Sequence, residues 1–169
     1  MTAPAPTPEP VATPTDADLA REMAAVLIRQ FEGCTLPPTP DTPPHWQIGY
    51  GCNYLADGSE VRSTTPPLPD IDAAEALLQA LLGPLADKVD ALLTVPATVG
   101  QRAALYDFAW NLGDAALARS TLLRLFNAGD VQAAADEFPT WICAAGKRDP
   151  GLVNRRRMER AVFLGLVTP

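Results

Sequence analysis

Leu19, Met23, Val26, Leu27 and Phe31 recur at separations of three or four, the spacing that lays one apolar stripe along an α-helix. With Thr15 or Asp16 as its cap, this pattern predicts a first helix running to about Phe31 and delivering Glu32 at the margin of the buried stripe. Asp70 caps a second predicted helix to Leu82, with Asp72 and Glu75 near its positive end. Gly83-Pro84 is expected to stop or sharply bend it, leaving a separate segment over 84–93 and a candidate hinge. Thr98-x-x-Gln101 is a capping-box pattern. It opens a helix to Leu112 whose Leu105, Tyr106, Phe108, Ala109 and Trp110 leave few polar sides, which assigns it to the centre of a core. Shorter helices are predicted over 120–128, 130–138 and 139–144. A last one opens at Asp149-Pro150 and returns Met158, Val162 and Leu166 to the core.

The pattern between the first two helices is different. Residues 34–64 read as an irregular antiparallel sheet, with Gln47-Ile48-Gly49-Tyr50-Gly51 a short strand entering a glycine turn. A second hairpin is expected about Ala56–Ser59. Pro37, Pro38, Pro40, Pro43 and Pro44 lack backbone donors, so a regular ladder is not expected there and Asp41 is placed in a stiff loop. Residues 1–15 alternate proline with alanine and threonine and are expected to form a disordered leader, with one domain over 16–169.

Composition narrows the function. The 169 residues carry a net charge of −7, which argues against a nucleic-acid binder, because affinity for phosphates rests on cations. The start of the chain has neither a basic stretch nor an apolar run, and nowhere do 18 apolar residues follow one another, so neither a signal peptide nor a membrane span is expected. The chain is thus expected to accumulate in the cytoplasm where it is made. Cys34, Cys52 and Cys143 have no metal-ligand spacing, and Cys34 and Cys52 are read as free thiols or, in an oxidising space, a bridge. Residues 147–160 are locally basic, with Lys147, Arg148, Arg155, Arg156, Arg157 and Arg160 against Asp149 and Glu159. They suit either a carboxylate-bearing polymer or ion pairs that pin the fold together.

The candidate chemistry lies at 32–51. Glu32 ends an amphipathic helix and Asp41 sits in a wetter loop. A half-buried carboxylic acid facing an ionised one is the pair that glycosidic cleavage uses, one donating a proton and the other activating water or stabilising the cationic centre. The spacing is specific: Glu32, eight residues, Asp41, five residues, Gln47, then Ile48-Gly49-Tyr50-Gly51. This resembles the signature of the phage-type lysozymes (endolysins), glycoside hydrolase family 24. The likeness continues through Ala73–Leu78, Gln101–Leu105, Phe108–Gly113, Ser120–Leu123, Asn127–Asp130, Trp141, Ala145–Lys147, Gly151–Arg157 and Glu159-Arg160, covering roughly 18–165.

What the resemblance implies is a predominantly helical α+β fold of two lobes, a small one containing β-structure and a larger helical one, joined by an interlobe helix. It implies a monomeric muramidase that cuts the β-1,4 bond between N-acetylmuramic acid and N-acetylglucosamine in bacterial peptidoglycan and reaches the wall through a separate membrane lesion. Glu32 would be the general acid, Asp41 the residue activating water, and Gln47 the residue orienting that water. His45, Trp46, Tyr50 and Arg156 are the candidates for holding substrate. No metal or cofactor is called for. The sequence departs from the family pattern at Gln47, where threonine is usual, and at Cys52, where histidine is usual. A lysozyme fold kept as a peptidoglycan-binding module, and a transglycosylase or interbacterial effector using the same glutamate, are the rival expectations.

Overall fold

The computed structural model describes residues 13–41 and 44–169, so most of the expected leader lies outside the described residues. α1 (Asp16–Glu32) opens with a capping box in which the Thr15 hydroxyl accepts from the Asp18 N–H while the Asp18 carboxylate accepts from the Thr15 N–H. Its buried face is Ala20, Ala24, Ala25, Leu27 and Ile28, whereas Leu19 and Val26 are exposed. The expected stripe is therefore rotated. α1 packs most extensively on the central helix, and the alanines of its buried face admit a closer approach than leucine and valine would.

β1 (Thr35–Pro40) and β2 (Trp46–Gly49) form an antiparallel pair that is irregular, as expected from its prolines. They interrupt it: Thr35 faces Gly49 and Thr39 faces Gln47, with a register shift between Thr35 and Thr39, the stretch that holds Pro37 and Pro38. The second hairpin is reduced to a Tyr54–Glu60 bridge with its flanking backbone bonds.

α2 (Ile71–Asp90) begins at the Asp70 cap, whose carboxylate accepts from the Ala73 N–H. It runs unbroken through Gly83-Pro84, correcting the expected break. Leu78, Leu82, Ala86 and Val89 lie on one buried face that straddles Pro84, and burial on both sides of the proline offsets the backbone bond it removes. This helix serves two cores. Leu78 and its companions belong to the large one, while Leu77 joins Ile48, Cys52 and Val61 in a small one beneath the hairpin. α2 is thus the connection between a small lobe and a large helical lobe, and the α+β, mostly helical architecture expected from the sequence is the one observed.

α3 (Val99–Leu112) forms its capping box between Thr98 and Gln101 and ends at Gly113. Ala103 through Phe108 are all fully buried, placing it at the centre as predicted. α4 (Asp114–Ala118), α5 (Thr121–Asn127) and α6 (Val131–Glu137) follow; α4 was not expected. The helix predicted over 139–144 is replaced by one 3-10 turn, Phe138–Thr140, and the strands β3 (Cys143–Ala144) and β4 (Lys147–Arg148). Ala145 and Gly146 both take positive φ, the geometry of a two-residue hairpin turn. α7 (Pro150–Phe163), capped by Asp149, closes the core through Val162 and Phe163. Leu166, expected inside, lies beyond the helix end and is 68% exposed. Edge-to-face ring contacts run from Trp141 to Phe108, Phe138, Phe163 and Phe126, with centroids 5.3–5.9 Å apart.

Candidate active site

Glu32 is the last residue of α1, and Gly33 turns the chain with φ +66°. Its side chain is 20% exposed, and Oε1 accepts a 2.5 Å hydrogen bond from Arg155 Nη1. Arg155 reaches it from the first turns of α7 with a side chain only 4% exposed. Its other edge grips Asp107 on α3, Nε to Oδ2 at 3.0 Å and Nη2 to Oδ1 at 2.8 Å. The Phe31 ring lies 5.6 Å from the guanidinium carbon. Burial by itself would lower the proton affinity of Arg155; the charges of Asp107 and Glu32 more than offset it, and the guanidinium is held firmly protonated.

Gly51 closes on the opposite side of the Glu32 carboxyl. It has φ +74°, and a Cβ built there would fall 2.8 Å from Glu32 Oε2. Only glycine fits both the backbone angle and the space. The glycine turn is anchored from the large lobe by Trp110, whose indole N–H donates to the Tyr50 carbonyl at 3.2 Å.

Asp41 is exposed at the end of β1, and its N–H donates to the His45 carbonyl at 3.0 Å. Within β2, Ile48 is fully buried in the small core and Trp46 packs on that core. Period-two alternation then turns Gln47 to the other face of the strand. The hairpin thus brings Asp41, His45, Trp46 and Gln47 into one small neighbourhood. His45 and Trp46 line a cavity of about 360 Å³ with Asn53, Tyr54 and Arg62. A second, of about 400 Å³, opens between the lobes, where Gly51 and Asn53 face Leu81 and Leu85 of α2 and Trp110 of α3. Asn53 and Tyr54 line both.

Two expected substrate contacts turn inward. Tyr50 is 7% exposed, and the neighbouring Glu75 carboxylate together with burial pushes its hydroxyl up to about 12. Glu75 is in turn held by Arg29 through two bonds of 2.8 and 2.7 Å, so this set is a strut between α1, α2 and the glycine turn. Arg156 is fully buried: Nη2 donates to Glu159 at 2.6 Å and Asn111 at 3.0 Å, and its guanidinium lies 4.9 Å from the Phe108 ring centre. Neither side chain offers a surface to a polymer. Three adjacent arginines on a helix point about 100° apart, and which one reaches Glu32 depends on how α7 is rotated against α3.

Sequence reasoning missed Arg155, Asp107 and Gly51 as site residues. Asp107 had a signal, an acid inside an otherwise apolar helix. The basic stretch divides between its two readings: Arg155, Arg156 and Arg160 form ion pairs, whereas Lys147, Arg148 and Arg157 are exposed and make none among the described residues. The three cysteines are free thiols, and Cys52 stands buried beside the site, its thiol pushed up to about 12, chiefly by burial. It is therefore neutral where the family's usual histidine would titrate.

A two-lobed helical fold with an interlobe helix and a glutamate at the lobe junction defines a lysozyme-like protein. A profile of the phage lysozyme family matches residues 29–159, and the chain belongs to that family. It is 41% identical over 140 residues to an endolysin of Bacillus phage B103, covering 82% of this chain and 51% of that one. It is 32% identical over 146 residues to an endolysin of Acyrthosiphon pisum secondary endosymbiont phage 1, covering 84% and 95%. Among solved structures, the endolysin from Escherichia coli O157:H7 phage FAHEc1 superposes with a TM-score of 0.76 at 30% identity, over 87% of this chain and 94% of that one. Against the first of these relatives the chain spans about half the partner's length.

Proposed function

We propose that this chain is an endolysin-type muramidase that hydrolyses the β-1,4 bond between N-acetylmuramic acid and N-acetylglucosamine in bacterial peptidoglycan. The observation that carries this reading is Glu32, 20% exposed and clamped between Arg155 and Gly51, the glycine that itself lines the cavity between the lobes. Glu32 protonates the leaving oxygen; Asp41, solvated at the hairpin end, activates the attacking water; and Gln47 orients that water through its amide, which both donates and accepts. The family's inverting course corresponds to carboxyls roughly 6.5–9.5 Å apart, leaving room for a water. His45, Trp46 and the Asn53-Tyr54 segment are the surfaces on which sugar rings rest, since amphipathic rings suit saccharide faces.

Among the described residues no helix is long and apolar enough to cross a membrane. In this reading a single copy acts on the wall without metal or cofactor, after release from the host cytoplasm through a separate lesion. The test is turbidity clearing of outer-membrane-permeabilised bacteria. Glu32→Gln is expected to lower the rate by about 10²-fold or more, the contribution of a general acid. Equal clearing by wild type and variant refutes the assignment. Mass spectrometry of the fragments should find reducing ends; anhydromuramyl ends would make the chain a transglycosylase instead.

A further inference from the structure

We propose that Asp107 is a positioning residue that allows Glu32 to act as a proton donor although an arginine is bonded to it. The proposal rests on the muramidase reading for its catalytic meaning, but its physical content is independent of that reading. A general acid must reach its protonated form during turnover, and an arginine bonded at 2.5 Å favours the carboxylate. Something must compensate that charge. Asp107 is fully buried and commits both carboxylate oxygens to Arg155.

The second buried arginine does not disturb this balance. Arg156 is bonded to Glu159 and Asn111, and Glu159 also lies 3.7 Å from Arg155 Nε; burial holds the Glu159 carboxyl well above the usual range, so Asp107 is the acid that opposes Arg155. Glu32 is the one carboxyl of this cluster with a solvent-exposed edge. Geometry follows from the same contact. A guanidinium is a planar fork of fixed donors, so the bidentate grip on the Nε and Nη2 edge aims Nη1 at Glu32. The groups beside Glu32 are Arg155 from α7, with Asp107 of α3 and Glu159 behind it, and the Cys52 thiol from the small lobe; in the proposed mechanism Asp41 acts from across the cleft.

The experiment compares wild type with Asp107→Asn, which keeps the shape and one acceptor and removes the charge. The Glu32 carboxyl is followed by carbon-detected NMR across pH, alongside kcat/KM on peptidoglycan. Losing a negative neighbour favours the carboxylate, so the Glu32 titration midpoint and the alkaline limb of the rate profile should both move to lower pH by about 1–2 units. Activity near neutrality then falls about 10–100-fold and recovers as pH is lowered. Asp107→Glu retains the charge on a longer arm and should keep the wild-type midpoint while kcat falls, and it serves if the asparagine variant does not fold. An unmoved midpoint in Asp107→Asn, or a midpoint in Asp107→Glu displaced to lower pH, overturns the proposal even if activity drops. A wild type that cleaves nothing removes the muramidase reading and leaves the titration to decide the role of Asp107.

Discussion

Replacing Gly51 with alanine tests the architecture of the site at a single atom. The added Cβ would lie 2.8 Å from Glu32 Oε2 and 3.0 Å from its Cδ, about 0.6 Å inside the 3.4 Å at which ordinary contact begins. The carboxyl cannot retreat freely, because Oε1 is bonded to Arg155 and Arg155 is bonded twice to Asp107. Either the glycine turn or the carboxyl moves by a few tenths of an ångström. Misplacement on the scale of an ångström costs a reaction about 10²-fold, so a loss of about 10–100-fold in clearing rate is expected. Backbone strain adds a separate effect, since φ +74° costs a non-glycine residue about 1–2 kcal/mol. For a chain of this size that lowers the melting temperature by about 2–8 °C.

Gly129→Ala is the control. It carries the same strain at φ +83° with nothing within 4 Å of the added methyl. Both variants should lose similar stability in calorimetry, and only Gly51→Ala should lose activity. If Gly51→Ala clears cells as fast as Gly129→Ala, the claim that the glycine turn seats the Glu32 carboxyl is wrong.

Other outcomes follow from the buried charges. Arg156→Ala leaves Glu159 without its strongest partner in a site already so desolvated that its carboxyl is held well above the usual range, and should cost about 3–5 kcal/mol in denaturant unfolding. The double change Arg156→Met with Glu159→Leu should recover most of that loss, because it removes both charges and keeps the volume. Glu75 has its carboxyl held below the usual range, first by its bonds to Arg29. A depressed folded-state value contributes stability above about pH 4.5, which is lost as pH falls through the folded-state value. Glu75→Gln should therefore lower the melting temperature at neutral pH and have a diminishing effect below about pH 4.5, measured by calorimetry across pH.

Local rules determined a good deal. The capping box at Thr98, the caps at Asp70 and Asp149, and the apolar identity of α3 are decided by neighbours three or four residues away and are where the pattern put them. The first helix's cap, open between Thr15 and Asp16, is Thr15. The spacing of Glu32, Asp41 and Gln47 likewise placed an acid at a helix end and two polar groups on one hairpin. Tertiary structure decided what local rules left open. Burial on both sides of Pro84 carried α2 through a residue that would end an isolated helix, and close packing on α3 turned α1 so that alanines rather than Leu19 and Val26 face the core. The same holds for Arg155 and Arg156. The direction of a side chain around a helix is known from sequence only relative to its own neighbours. Which arginine meets Glu32 and which is entombed is set by the orientation of α7 against α3, a property of the packed whole.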